Sequence, residues 1–151
     1  AGGWWKTSGN LPLLEEGRYC GLMDAERIKA TLQAKLGVEM DFKLEWDAFR
    51  FLLFGKMFAM LGYNKQQEKI LTLKLPPQEG AWYRDEYAFI TEGYYMNKVH
   101  WISVRYELAS KELMEELMEK SYANFLQRLT RKQQQQLASE DIIARHPDIS
   151  Y

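Results

Sequence analysis

Nine consecutive residues, GYYMNKVHW from Gly93 to Trp101, contain the side chains of this chain best suited to binding an anion. Asn97, Lys98 and His100 supply an amide, an ammonium group and an imidazole close together in sequence. Such groups donate hydrogen bonds to phosphate oxygens, and contacts of this kind position a nucleic acid without reading its sequence. The stretch also has the composition of a structural turn, because glycine permits positive φ, asparagine bonds its own backbone and tryptophan anchors a strand in the core. Both interpretations stand at this point, since a rigid turn is a good platform for polar groups.

Further cations flank this segment in sequence and favour a basic stripe on the predicted sheet. Residues 43–74 contain six basic and three acidic residues, which gives a local charge of +3. The additional candidate phosphate contacts are Lys56, Lys74 and Arg105. The aromatic side chains available to stack on exposed bases are Tyr63, Tyr94 and Tyr95. The alternative is that lysines at strand ends protect the sheet edges and keep the protein dissolved.

The overall charge and the scarcity of histidine and cysteine argue against several classes of function. The chain of 151 residues carries 20 basic and 21 acidic residues, so its net charge of -1 argues against a strongly basic nucleic-acid binder. Its two histidines, His100 and His146, argue against a metal site with two or more histidines, and the single Cys20 excludes an internal disulfide framework. There is no phosphate-binding glycine loop and no nucleophile motif. The sequence therefore predicts a protein that is not an enzyme, with no catalytic residue, metal or cofactor.

Hydrophobic periodicity predicts the α+β class, in a two-layer arrangement of an antiparallel β-sheet with helices packed on one face. Asp24 is suited to cap a helix over residues 24–36 that ends at Gly37. A tight turn at Gly55 joins the first two of the predicted strands. The predicted strands are WDAFRFLLF, KMFAML, ILTLKL and HWISVRYEL. A short helix is expected in PPQEGAWYRDEY, between the last two strands.

The two ends of the chain differ in composition from its centre. Trp4 and Trp5 lie in a glycine-rich segment that is expected to be extended and to need cover from the body or from a second molecule. A long amphipathic helix over residues 110–129 is expected to continue through residues 131–136 into solvent. The predicted division is an N-terminal arm over residues 1–18, a domain over residues 19–130 and a C-terminal helical extension and tail over residues 131–151.

The apolar segments are too short to suggest a membrane location. No apolar run approaches the roughly 20 residues of a spanning helix. The first residues, AGGWWKTSGN, lack the basic start and apolar run of a signal peptide. Together with the single cysteine, which suits a reducing compartment, these features predict a cytoplasmic protein without a membrane contact.

Four motifs that follow one another in order resemble the MmcQ/YjbR-like family of small bacterial proteins. They are GKMFAML at 55–61, LTLKLPP at 71–77, GYYMNKVHWISV at 93–104 and SYANFLQRL at 121–129. The resemblance covers about residues 20–130, and it departs from the usual family motif at Tyr95, where a histidine is common. It implies a compact α+β fold similar to that of type III secretion chaperones. It also implies nucleic-acid binding, because the family is commonly labelled as predicted DNA-binding proteins, and it transfers no catalytic residue.

The sequence thus supports one leading hypothesis of function and two others. The leading hypothesis is a non-enzymatic domain, monomeric or homodimeric, that binds DNA weakly. Its predicted contacts are Lys56, Lys74, Asn97, Lys98, His100 and Arg105, with Tyr94 and Tyr95 for stacking. The second hypothesis is a protein-interaction module that holds an extended partner segment on its sheet, in the manner of a chaperone. The third is a small-ligand pocket beneath the GYYMNKVHW turn, with Lys98 and His100 pointing inward.

Overall fold

The computed structural model describes residues 22–94 and 96–145, with side chains as far as residue 141. The expectations for the arm with Trp4 and Trp5, and those for Cys20, Tyr95 and His146, lie outside the described residues.

Within the described residues, six strands form a single antiparallel sheet, which confirms the predicted α+β class. The strands are β1 Val38–Lys43, β2 Ala48–Leu53, β3 Lys56–Tyr63, β4 Lys69–Lys74, β5 Ile90–Glu92 and β6 Trp101–Val104. Their spatial order is β1-β2-β3-β4-β6-β5, so β3 and β4 are central and β1 and β5 form the edges. The helices are α1 Ala25–Gln33, α2 Pro77–Glu86, α3 Lys111–Gln127 and α4 Arg131–Arg145.

The helices cover one face of the sheet because alternate strand residues on that face are large and apolar. Phe51, Leu73 and Ile102 are buried there with Leu117 of α3 and Ile28 of α1 in one hydrophobic core. Each buried side chain of this kind contributes about 1.5–3 kcal/mol relative to an exposed one. The predicted two-layer arrangement is therefore produced by the hydrophobic effect acting on alternate strand positions.

The first helix confirms its predicted start but ends earlier than predicted. The carboxylate of Asp24 accepts a hydrogen bond from the backbone N–H of Arg27, as an N-cap should. The helix ends at Gln33 and not at residue 36. Gly37 has a φ of 81° and belongs to the turn that leads into β1.

The two edge strands were missing from the prediction, for different reasons. β1 has the sequence VEMDFK, in which Glu39 and Asp41 interrupt the apolar pattern with residues that strands usually avoid. Charges of this kind suit an edge strand, because they discourage pairing with another chain. β5 contains three residues, which is too short to give a periodicity signal.

The long C-terminal helix was wrongly predicted to run through residues 131–136, because two helices are present. Thr130 and Gln133 cap the second helix reciprocally: the Gln133 N–H donates to the Thr130 hydroxyl, and the Thr130 N–H donates to the Gln133 amide oxygen, both at 3.1 Å. Helix α4 then returns to the body, and Leu137 is only 6% exposed and belongs to the core. An added Cβ on Gly37 would lie 2.5 Å from the Leu137 side chain, so the two segments pack closely.

The GYYMNKVHW loop between β5 and β6 is fastened to the sheet face that the helices leave free. The hydroxyls of Thr72 and Ser103 form a buried hydrogen bond of 2.8 Å between β4 and β6. The Ser103 hydroxyl also accepts a hydrogen bond of 2.9 Å from the backbone N–H of Tyr94. At the base of the loop the N–H of Gly93 donates to the carbonyl of Trp101, and a Cβ on Gly93 would lie 2.4 Å from the Trp101 Cβ. Only glycine fits at that point.

No helix of the described chain is long and apolar enough to cross a membrane.

Replacing Leu137 by alanine should lower the free energy of unfolding by about 2–4 kcal/mol, because it leaves a cavity under α4. Chemical denaturation monitored by circular dichroism measures this change. The control is Leu108→Ala, at a leucine that is 42% exposed, where a change within about 0.5 kcal/mol is expected. Equal small effects of the two substitutions would show that α4 does not pack on the body.

Gly93→Ala should lower the free energy of unfolding by about 2–3 kcal/mol, because the new methyl group collides with Trp101 and separates the two ends of the loop. Gly55→Ala is the matched control, since its φ of 77° is strained for alanine but nothing lies within 4 Å of the added Cβ. That substitution should cost about 1–2 kcal/mol. A smaller loss for Gly93→Ala than for Gly55→Ala would contradict the close approach.

Candidate functional site

Asn97 shapes the loop through its own backbone contacts. Its side-chain oxygen accepts a hydrogen bond of 2.9 Å from the N–H of Val99, which is an Asx-turn. Its backbone carbonyl accepts from the N–H groups of His100 and Trp101. Both oxygens of Asn97, in the side chain and in the main chain, therefore accept hydrogen bonds within the loop, as expected for a residue that stabilises a turn.

Lys98 and Arg105, two of the predicted phosphate contacts, face carboxylates. Lys98 Nζ lies 3.9 Å from a carboxylate oxygen of Glu92, and an Arg105 guanidinium nitrogen lies 3.4 Å from one of Glu68. Such exposed pairs contribute at most about 1 kcal/mol to stability, but they cancel much of the local positive potential.

His100 lies immediately before β6, and its carbonyl accepts a hydrogen bond from the N–H of Leu75. Its ring Nδ1 is buried and has no hydrogen-bond partner within the described part of the chain. A buried ring nitrogen is out of reach of an anion at the surface. The other ring nitrogen, Nε2, is the only one through which His100 could act as predicted.

Lys56 and Lys74 lie together with Arg128 at one end of the sheet, and we call these three residues the basic cluster. Lys56 begins β3, Lys74 ends β4, and Arg128 caps the C-terminus of α3. Burial lowers the pKa of Lys74, and the nearby charges of Arg128 and Lys56 lower it further. The Lys74 ammonium also lies 5.9 Å from the ring centre of Trp101, its cross-strand neighbour. Lys74 is therefore held in place by packing while it experiences the positive field of its two neighbours.

None of the three cations in the basic cluster forms an ion pair with a carboxylate of the described chain. Many other surface cations, such as Lys69 with Glu107 and Lys120 with Glu79, do form such pairs. Arg128 was missed by the sequence prediction, since it lies at the end of a helix that is remote in sequence from both strands. The partial negative charge at the C-terminus of α3 offsets only part of this positive charge.

The predicted cations do not converge on one stripe. Lys74 pairs with Trp101, whereas Arg105 lies beyond Val104, at the opposite end of the same strand pair. The offset is about four strand positions, which corresponds to about 13 Å. The structure therefore brings together Lys56 and Lys74 and separates them from Arg105, while Lys98 and Arg105 each lie beside a carboxylate.

A second feature is a cleft of about 680 Å³ on the sheet face that the helices leave free. Met60 and Ala48 form its buried floor, and Trp46 and Tyr63 are wall residues that are 48% and 45% exposed. The full lining is Glu45, Trp46, Asp47, Ala48, Met60, Tyr63, Asn64, Lys65, Gln67, Tyr94 and Met96. We call this feature the aromatic cleft.

The aromatic cleft corresponds only in part to the small-ligand pocket that the sequence suggested. It lies beside the loop, and Tyr94 and Met96 of the loop line it. Lys98 and His100, which were expected to point into such a pocket, are not among its lining residues. The sequence missed the wall residue Trp46, because a short 3-10 turn over Leu44–Trp46 and the left-handed conformation of Asp47 present it.

Two cations hold the Trp46 wall of the aromatic cleft. The Lys43 ammonium and the Arg50 guanidinium lie 5.7 and 5.9 Å from the centre of the Trp46 ring. Arg50 in turn binds Asp41 across the β1–β2 pair, and this hydrogen bond lowers the pKa of the Asp41 carboxyl. The indole is therefore fixed in orientation although it is half exposed.

The described residues contain no group of three or more histidine, cysteine, aspartate or glutamate side chains that could hold a metal ion.

The fold is similar to two solved bacterial structures. The crystal structure of Deinococcus radiodurans protein DR2400, with a DUF419 domain, superposes with a TM-score of 0.69 at 21% identity over 78% of this chain and 89% of that chain. A protein from Pseudomonas syringae superposes with a TM-score of 0.56 at 23% identity, over 66% of this chain and 96% of that chain. At these identities the likeness concerns the fold alone.

The sequence comparisons identify the family. The chain is 33% identical over 97 residues to the uncharacterised protein YbdF of Escherichia coli O157:H7, which covers 64% of this chain and 77% of that protein. The sequence profile of the YjbR family matches residues 33–124, which is more than half of the chain and runs from the end of α1 into α3. The chain therefore belongs to the YjbR family.

Proposed function

We propose that this YjbR-family domain is a non-enzymatic protein that binds nucleic acid weakly through the phosphate backbone, at the basic cluster. The observation that carries the proposal is the grouping of Lys56, Lys74 and Arg128 without a described carboxylate partner. Burial lowers the pKa of Lys74, and the positive charges of Arg128 and Lys56 lower it further. Neighbouring cations of this kind gain most from an anion that bridges them. A phosphate group is such an anion, and a nucleic acid presents phosphates in series.

The charge distribution supports the proposal that this binding is weak and has no sequence preference. Arg131 and Lys132, exposed at the start of α4, lie within a few residues of Arg128 and add positive charge at the same end of the molecule. The net charge of -1 gives little long-range attraction, so the affinity depends on a few short-range contacts. Trp101 is only 9% exposed, which leaves little ring surface for a base to stack on. Contacts to phosphate alone fix position and carry no sequence information.

The contact set is accordingly narrower than the sequence suggested. Lys56 and Lys74 are retained and Arg128 is added to them. Lys98 and Arg105 would first have to leave Glu92 and Glu68 to engage a phosphate. These two residues are therefore suited to serve as controls in the test of the proposal.

The aromatic cleft supports a second candidate function, the binding of an extended peptide segment on the free face of the sheet. Its volume of about 680 Å³ is within the usual range for ligand sites, about 300–1,000 Å³. Met60 and Met96 give it an adaptable apolar lining, and the half-exposed Trp46 and Tyr63 supply the large contact surfaces.

The nucleic-acid proposal is tested with two triple variants that remove the same charge. One is Lys56→Gln, Lys74→Gln, Arg128→Gln in the basic cluster, and the other is Lys69→Gln, Lys98→Gln, Arg105→Gln at cations that have carboxylate partners. Fluorescence anisotropy of labelled single- and double-stranded DNA is titrated from low to physiological salt. For wild type, log Kobs should fall linearly with log salt concentration. The cluster variant should have a double-strand slope shallower by about 2–3, since each lost phosphate contact removes about 0.9.

The control variant should keep a slope close to that of wild type. Equal losses in the two variants would show that only net charge matters, and the basic cluster would then not be a site. Absence of binding by wild type at low salt would overturn the nucleic-acid proposal altogether. Thermal denaturation of each variant establishes that the fold is intact.

A further inference from the structure

A short series of contacts connects the aromatic cleft to the point where the described chain begins. Leu22, which lies just before the start of α1, forms an antiparallel bridge with Ser110. Tyr63, a wall of the cleft, pairs with Lys69 across β3 and β4, and the Lys69 ammonium lies 3.2 Å from a carboxylate oxygen of Glu107, three residues before Ser110. Leu22, the first described residue, is therefore connected to this wall through Ser110, Glu107 and Lys69.

We propose that the aromatic cleft is the docking site of the chain's own N-terminal arm, residues 1–18, which binds in cis through Trp4 and Trp5. This inference names an occupant for the second candidate function. It does not depend on the nucleic-acid proposal, which concerns the other end of β3.

The length of the arm permits this contact. Leu22 lies seventeen positions after Trp5, and an extended chain of that length spans about 56 Å. The long axis of the sheet is set by the eight residues of β3, about 26 Å. A tether of this length holds the tryptophans at an effective concentration on the order of millimolar, so that a contact of modest affinity is mostly formed.

The chemistry of the arm matches that of the cleft. Tryptophan has the largest apolar surface of any side chain, and Met60 and Met96 offer flexible, polarizable partners for its ring. The charges also agree: Lys6 follows Trp5 directly, and Asp47 at the rim forms no ion pair with a described residue. Docking would cover the half-exposed rings of Trp46 and Tyr63. A second extended segment would then have to displace the arm to reach the cleft.

The test is photo-crosslinking in the full chain, with Trp5 replaced by p-benzoylphenylalanine. The excited benzophenone abstracts hydrogen from neighbouring C–H bonds, with a preference for methionine, and mass spectrometry locates the adduct. The expected adduct joins position 5 to Met60 or Met96 of the same chain. Met114 and Met118, which are buried in the core on the other side of the sheet, are internal negatives.

Mixing this photolabelled chain with ¹⁵N-labelled chain distinguishes the arm of the same molecule from that of a second copy. Adducts confined to the unlabelled chain support the proposal, whereas adducts between the two chains replace it with docking across a dimer. Adducts that avoid every lining residue of the cleft overturn it.

Two tryptophan substitutions in the same photolabelled chain provide a matched pair. Trp46→Ser removes a wall of the cleft, and the crosslink yield at the cleft should fall severalfold. Trp82→Ser removes a tryptophan of similar exposure, 54% against 48%, that lies on α2 and does not line the cleft. The yield in that variant should be unchanged. Equal yields in the two variants would contradict docking against Trp46.

Discussion

The buried hydrogen bond between the hydroxyls of Thr72 and Ser103 is the contact on which both candidate sites depend. It joins the neighbouring strands β4 and β6, on the sheet face that the helices do not cover, where both residues are nearly inaccessible to water. A buried hydroxyl without a partner costs about 1–3 kcal/mol, so the two residues require one another. Because Ser103 also accepts the N–H of Tyr94, the same bond holds the GYYMNKVHW loop against the sheet. The loop in turn supplies one wall of the aromatic cleft, and its end at Trp101 supports Lys74 of the basic cluster.

Ion pairing determines where positive charge remains on the surface of this protein, and the net charge does not reveal those places. The chain is nearly neutral, and many of its surface cations lie beside carboxylates. Where strand ends and the C-terminus of α3 meet, Lys56, Lys74 and Arg128 have no such partner among the described residues. A local field of this kind acts over about one Debye length, roughly 8–10 Å at physiological salt. It can attract a phosphate group without making the whole protein basic.

The comparisons establish the family and the fold, and the function has to be argued from the sites. YbdF is uncharacterised, and the two solved structures share the architecture at low identity. One fold commonly supports unrelated functions, so architecture by itself does not select between nucleic-acid and peptide binding. The two surfaces make different demands. Phosphate contact requires unpaired cations, whereas peptide docking requires exposed apolar surface beside a rigid wall. The structure provides each of these at a different end of β3.

The sequence by itself determined the family motifs, the α+β class and the helix start at Asp24, because each of these depends on local pattern. Strand alternation, helix capping and turn formation depend on a few neighbouring residues, so they can be predicted from the order of residues along the chain. The edge strand β1 was hidden by its own charges, and the capping pair Thr130–Gln133 that starts α4 was overlooked within a run of helix-forming residues.

Only the tertiary structure decided which side chains act together. From the sequence, four cations were equally good candidates for phosphate contacts: Lys56, Lys74, Lys98 and Arg105. No local sequence feature distinguishes one exposed cation from another. Strand register separated Lys74 from Arg105, and long-range ion pairing engaged Arg105 with Glu68. Helix packing brought in Arg128 from 54 positions beyond Lys74 in sequence. The physical reason is that electrostatic and apolar contacts depend on distance in space, and pairing across a sheet makes that distance independent of separation along the chain.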